Sequence, residues 1–259
     1  MAHSDSTLIS YAQNYEDVLL WRALRDVGEG FYVDVGAYHP VEHSVTKLFY
    51  DHGWRGINIE PVSSYYEKFL EKRHRDINLN IAVSNTEGKE TFYEIEETGL
   101  STLESSIAVS HKNDGWNVRE MEINTRSLDS IFKEYVDFPI HLLKLDIEGY
   151  EEKALQGLNL TNWRPWIILV EAIDPNVKSP SSIEWDELIG QYNYHFVYFD
   201  GINKYFIADE HVELDKAFSS PPNVLDDFIR YDHYQALQVI SSKDQKLDQL
   251  DQRIRSQID

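Results

Sequence analysis

The stretch FYVDVGAYHP, residues 31–40, runs a strand-like segment into a turn at Gly36, and its reading decides the fold. In an open α/β sheet the turn after the first strand is where ligands bind, beyond the carboxyl ends of the strands. A dinucleotide site carries three glycines there, the second to let backbone reach the pyrophosphate and the third for close helix packing. Here Tyr38 and Pro40 stand where further glycines are expected. The turn has the position of a nucleotide site without its phosphate-binding glycines.

Outward from this turn, short apolar strands alternate with helical patterns from about residue 30 to 200, which predicts parallel strands joined by right-handed crossovers. RGINIEP is the predicted second strand, INLNIAVS the third, HLLKLDIEG the fourth and WIILVEAI the fifth. Between them, Val45, Leu48 and Phe49 recur at helical spacing before Gly53. Ser63 or Ser64 is placed to cap a helix whose face carries Tyr66, Phe69 and Leu70, with Arg73 snorkelling at its edge. Tyr150, Ala154, Leu155 and Leu158 mark a further helical face. From 85 to 130 the alternation lapses: GKETFYEIE and VREMEINTRSL read as extended with GLSTLESS between them, a strand-rich excursion beside the sheet. YHFVYFD, GIN and KYFIAD make a hairpin, so the last strand of the sheet runs antiparallel. Three regions follow: a helical segment over 1–30, a main domain over 31–232, and a C-terminal helix over 233–259. In that helix Ile240, Leu247 and Ile254 are spaced by sevens with Leu250 between, while Lys243 and Gln257 interrupt the stripe. This is a short coiled coil that could join chains into an oligomer, or a solvated terminal helix.

With 259 residues, 42% of them hydrophobic, the chain has material for one sizeable core. Its 24 Lys and Arg against 45 Asp and Glu leave a formal charge of -21, which repels phosphate backbones and anionic membrane surfaces; nucleic acid is not an expected partner. The absence of cysteine excludes disulfides and thiolate metal sites. No apolar run of spanning length and no signal-peptide core in MAHSDS are found, so no membrane insertion is expected and a cytoplasmic location is.

Asp34 and Gly36 close the first strand, and Glu60 closes the second, 24 residues after Gly36. A carboxylate at that place can accept hydrogen bonds from both hydroxyls of a ribose. S-adenosyl-L-methionine keeps the ribose and adenine, lacks phosphate, and carries a cationic sulfonium that favours an acidic lip. The broken turn fits that ligand better than NAD; the plainer alternative is that Asp34 and Gly36 only end a strand and make a turn.

The blocks YAQNYEDVLLWRAL, FYVDVGAYHP, GINIEP, NIAVSNTEG, GLSTL, LLKLDIEGYEEKALQGL and VYFDGINKYFIAD span roughly residues 8 to 210. Together they resemble the FkbM family of S-adenosylmethionine-dependent O-methyltransferases, with KLDIEGYE the most specific block. The resemblance implies an α/β, Rossmann-like class I methyltransferase fold: a mostly parallel seven-stranded sheet with an antiparallel terminal hairpin. It also implies that Asp34, Gly36, Ala37 and Tyr38 line the methionine end of the cofactor, that Glu60 with Pro61 beside it holds the ribose, and that Ala82 and Val83 border the adenine. Gln13 and Asp17 would lie near the cofactor mouth, and the acceptor would be a saccharide or glycoconjugate.

Methyl transfer to a hydroxyl needs a positioned acceptor and a base to take its proton. Asp146 and Glu148 end the fourth predicted strand and Glu171 the fifth; Lys144, Asp146 and Glu148, two apart, share a face if extended geometry persists. Against those roles, Glu148 could cap the following helix and Lys144 merely pair with an acid. His39 and His43 with Asp146 make no recognisable metal motif, and no metal is expected. His195 reads as a packed strand histidine, and Tyr93 and Trp116 as core aromatics that could instead stack on a sugar. The rival readings are an NAD-dependent oxidoreductase and a non-enzymatic assembly module.

Overall fold

The structure, a computed structural model, describes residues 7–96, 98–174, 179–180 and 185–258. Its central sheet has seven strands: β1 (Phe31–Val35), β2 (Arg55–Ile59), β3 (Ile77–Leu79), β4 (Leu142–Leu145), β5 (Ile167–Glu171), β6 (Tyr194–Phe199) and β7 (Asn203–Ala208). They lie in the order β3-β2-β1-β4-β5-β7-β6, and β7 alone runs against its neighbours. The expected parallel sheet and terminal hairpin are both present.

Helices cover both faces, which is why β1, β4 and β5 are apolar almost throughout. Strand alternation sends Val33, Val35, Leu143, Leu145, Ile168 and Val170 to one face, against the helices Leu128–Tyr135 and Glu151–Gln156. Tyr32, Leu142, Ile167 and Leu169 go to the other, against α1 (Glu16–Leu24) and α2 (Lys47–Asp51).

Five local expectations are corrected. The third predicted strand breaks after β3, because the Asn80 side-chain amide donates to the carbonyls of Glu60 and Pro61 at 2.9 and 2.8 Å. Ala82 and Val83 then pair with Val118–Arg126, which with Gly88–Ile95 forms a separate three-stranded sheet. Between the two long strands of that sheet the chain forms a helix, Ser105–Asn113, where the sequence reading placed none; the Glu104 carboxylate caps it by accepting from the Ser106 amide. Neither Ser63 nor Ser64 caps the helix that follows β2: it begins at Ser63 with Val62 at the cap, and the Ser63 hydroxyl donates to Asn80 instead.

Arg73 does not lie at a helix edge; it is fully buried at the end of that helix. Its guanidinium donates to the Pro40 carbonyl, the Tyr32 hydroxyl and the Ser44 hydroxyl, each at 2.9 Å, and lies 3.6 Å from Asp76. Asp76 accepts from Tyr32, Asn58 and the Gly56 amide, so the network ties β1, β2 and the loop after Gly36 together. His195 likewise is not simply packed: its ring bridges Asp209 and Asp215 at 2.7 and 2.9 Å.

Leu8–Ser10 pairs in parallel with Phe228–Arg230, and the long C-terminal helix Tyr231–Ile258 starts there. Leu237, Ile240, Leu247 and Leu250 are each about half exposed along it; the side chain of Ile254 lies outside the described residues. Among the described residues no helix is long and apolar enough to cross a membrane.

Removing the cation from a buried, hydrogen-bonded ion network leaves its carboxylate uncompensated. Arg73→Met is therefore expected to lower the unfolding free energy by about 3–5 kcal/mol in urea denaturation, and adding Asp76→Asn should recover part of that loss.

Candidate active site

A cavity of about 670 Å³ opens at the carboxyl ends of β1, β2, β4 and β5. Asp34, Gly36, Ala37, Tyr38, Glu60, Pro61, Ala82 and Val83 line it, as do Gln13, Lys144, Asp146, Glu148 and Glu171. The fold thus gathers at one cavity all but one of the residues the sequence singles out.

The exception is Asp17. It is completely buried outside the lining and accepts hydrogen bonds from the Ser10 hydroxyl and the amides of Tyr11, Ala12 and Val18, which fixes the N-terminal turn. Its neighbour Glu16 lines the cavity instead.

Gly36 adopts φ 73°, and a Cβ there would lie 1.7 Å from the backbone carbonyl oxygen of Asp146. The glycine is required by the close passage of the chain leaving β4. The Gly36 and Ala37 amides both donate to the Ile59 carbonyl at 3.1 Å, and the Tyr38 amide donates to Glu60 Oε2 at 2.8 Å. A backbone amide has one hydrogen to give. Three successive amides at the turn are thereby committed to β2, and none is left to cradle a phosphate.

Glu60 also accepts from the Val62 amide at 2.7 Å through Oε1, so each carboxylate oxygen holds one protein hydrogen bond and retains acceptor capacity. Burial pushes its carboxyl up to about 8, against the pull of the two amides.

Asp34 and Lys144 are register partners on β1 and β4. The Lys144 ammonium lies 3.2 Å from Asp34 and 3.2 Å from Asp146, and donates to the Gly36 carbonyl at 3.1 Å. Burial alone would lower its proton affinity, but Asp146 and Asp34 outweigh that and hold it above its ordinary value. The second oxygen of Asp34 accepts from the Thr46 hydroxyl at 2.8 Å.

The shared-face geometry expected for Lys144, Asp146 and Glu148 does not persist, because β4 ends at Leu145 and Glu148 turns left-handed at φ 52°. That turn nevertheless returns the Glu148 side chain to the cavity, where one carboxylate oxygen each from Asp146, Glu148 and Glu171 lie within 4.8 Å of one another. Glu148 does not cap the next helix, which starts at Glu151 without a side-chain cap; Glu151 instead accepts from the amides of Ile147 and Gly149 at 2.8 and 3.2 Å and so pins the turn before the helix. Burial, then the charge of Asp146, raises the proton affinity of both Glu148 and Glu171.

Sequence reasoning missed the roof. The chain from Thr98 to Leu103 and the side chains of His111, Asp114 and Trp116 line the cavity from the excursion, and Trp116 is 46% exposed rather than core. The GLSTL block was the available signal, but nothing in it announced a helix. His43 also lines the cavity, whereas the His39 ring accepts from the amides of Val41 and Glu42.

A largely parallel sheet in this order, with its site at the strand ends and its last hairpin reversed, is compatible with a methyltransferase fold of Rossmann-like type. The chain belongs to the methyltransferase FkbM domain family, whose model matches residues 34–196. That match takes in the Gly36 turn, Glu60, Lys144, Asp146, Glu148 and Glu171, and leaves Gln13 outside. No curated protein matches the chain.

With its carboxyl raised, Glu60 binds a proton in the folded chain at pH values where the unfolded chain has lost it, so its contribution to stability falls as pH rises from about 4.5 to about 8. Glu60→Gln removes that titration. The melting temperature of the variant minus that of the parent is expected to increase between pH 5 and pH 9; a constant difference would remove Glu60 as the titrating group.

Proposed function

We propose that the chain transfers a methyl group from S-adenosyl-L-methionine to a hydroxyl of a saccharide or glycoconjugate. One observation carries the cofactor reading: the amides of residues 36–38 are spent on β2 while Glu60, at the end of that strand, borders the cavity. This favours a ligand with a ribose and no pyrophosphate, and disfavours NAD.

When bound, S-adenosyl-L-methionine supplies an electrophilic methyl group on a cationic sulfur. Glu60 would accept both ribose hydroxyls with its remaining lone pairs. Pro61, Ala82 and Val83 would border the adenine, and Asp34, Gly36, Ala37 and Tyr38 the methionine portion, with Gln13 at the mouth. Asp146, 38% exposed at its side chain, is placed to position the acceptor hydroxyl and take its proton. Lys144, 3.2 Å away, orients that carboxylate. Holding acceptor and methyl in line supplies much of the acceleration, and a general base adds about 10²- to 10⁴-fold. The saccharide acceptor rests on the family resemblance, and an exposed indole in the cavity wall, Trp116, suits the apolar face of a sugar ring.

Calorimetry with S-adenosylhomocysteine and with NAD tests the cofactor. The homocysteine compound is expected to bind and NAD not; Glu60→Ala should weaken binding about tenfold, since two hydrogen bonds of about 0.5–1.5 kcal/mol each are lost. Asp146→Asn should lower turnover about 10²-fold or more while cofactor affinity stays within several-fold. NAD binding as tight as S-adenosylhomocysteine, or a folded Glu60→Ala chain with unchanged affinity, would contradict the reading.

A further inference from the structure

The described residues lining the cavity include seven acidic side chains and a single fixed positive charge, Lys144. That ammonium is already shared between Asp34 and Asp146. Glu148 and Glu171 have no such relief: among the described residues neither side chain has a hydrogen-bond or ion-pair partner. Glu148 is 9% exposed, so its unpartnered carboxylate is largely buried and lies against those of Asp146 and Glu171. A buried carboxylate without a partner is costly, and such groups are normally paired or ligate a metal.

The geometry points to a binding site for one hard divalent cation of the Mg²⁺, Mn²⁺ or Ca²⁺ class, ligated by Asp146, Glu148 and Glu171. Oxygens that share a Ca²⁺ at 2.3–2.6 Å can lie no more than about 5 Å apart, and these three lie within 4.8 Å of one another. All are carboxylates, the donor type such ions prefer, and no histidine joins them in the group. The three come from two neighbouring strand ends: Asp146 and Glu148 stand in the turn that follows β4, and Glu171 ends β5. Glu151 anchors that turn through the amides of Ile147 and Gly149, so Glu148 is presented on a fixed backbone. The ion would lie in the cavity assigned above to methyl transfer, with open coordination positions for water or an acceptor hydroxyl. Its suggested role there rests on that reading, but the binding itself stands on the three carboxylates alone.

The experiment uses the full chain with Mn²⁺ and neither cofactor nor acceptor. Loss of the free-ion paramagnetic resonance signal should show one saturable site per chain, with a dissociation constant on the order of 10⁻⁵–10⁻³ M and displaced by Mg²⁺ or Ca²⁺. Glu148→Gln and, separately, Glu171→Gln should each weaken it at least about tenfold, while Asp244→Asn with Asp248→Asn, which removes surface charge from the C-terminal helix, should leave it unchanged. Thermal melts show that each variant is folded. No saturable site, or a folded Glu148→Gln and Glu171→Gln chain with the parent affinity, would overturn the proposal and leave the two glutamates as a proton-sharing pair. S-adenosylhomocysteine binding in the same preparation separates the two readings: Mn²⁺ bound without it sustains the cation site and removes the methyl-transfer role, and the converse removes only the cation site.

Discussion

One buried ammonium holds the site together. Lys144 stands opposite Asp34 in the register of β1 and β4 and reaches Asp34, Asp146 and the Gly36 carbonyl at once. Without a cation there, the acids at the ends of two neighbouring parallel strands would face each other across a low-dielectric gap. A buried ion pair of this kind adds little net stability, but it fixes geometry: it sets where the turn after β1 sits relative to the chain leaving β4. Gly36 is the complementary condition, since any side chain there would strike the Asp146 carbonyl.

From that arrangement the ligand preference follows. With the turn drawn against β4 and its amides turned to Ile59 and Glu60, the strand ends present carboxylates in place of N–H groups. A pyrophosphate would meet acids and none of the three turn amides. A sulfonium, an ammonium or a divalent cation would meet the charge it needs. The excess of acid in the sequence is carried into the cavity, where an electronegative lining favours cationic groups over phosphates.

The parts legible in the sequence were those fixed by short-range chemistry. Continuous apolar runs announced β1, β4 and β5 because both faces of these strands are covered. Gly36 and Glu60 announced the strand ends, and the aromatic strands around Gly201 announced the hairpin. What stayed hidden depended on distant partners. Arg73 looks like an edge residue on a helical wheel, yet Tyr32, Ser44 and Asp76 make a polar chamber that accepts it. The third strand reads as continuous until Asn80 is seen to bond the carbonyls of Glu60 and Pro61. Two adjacent acids, Glu16 and Asp17, exchange roles between cavity and turn, and Glu151 rather than Glu148 accepts from the backbone amides of the turn after β4. In each case local pattern set the element, and a hydrogen bond to another part of the chain decided where the side chain went.

The most direct test is a crystal structure of the chain soaked with S-adenosylhomocysteine. The account requires the ribose hydroxyls on Glu60, the sulfur turned toward Asp146, and the amides of Gly36, Ala37 and Tyr38 still bonded to Ile59 and Glu60. A ligand seated outside this cavity, or a turn whose three amides have left β2 to bind the ligand, would contradict it.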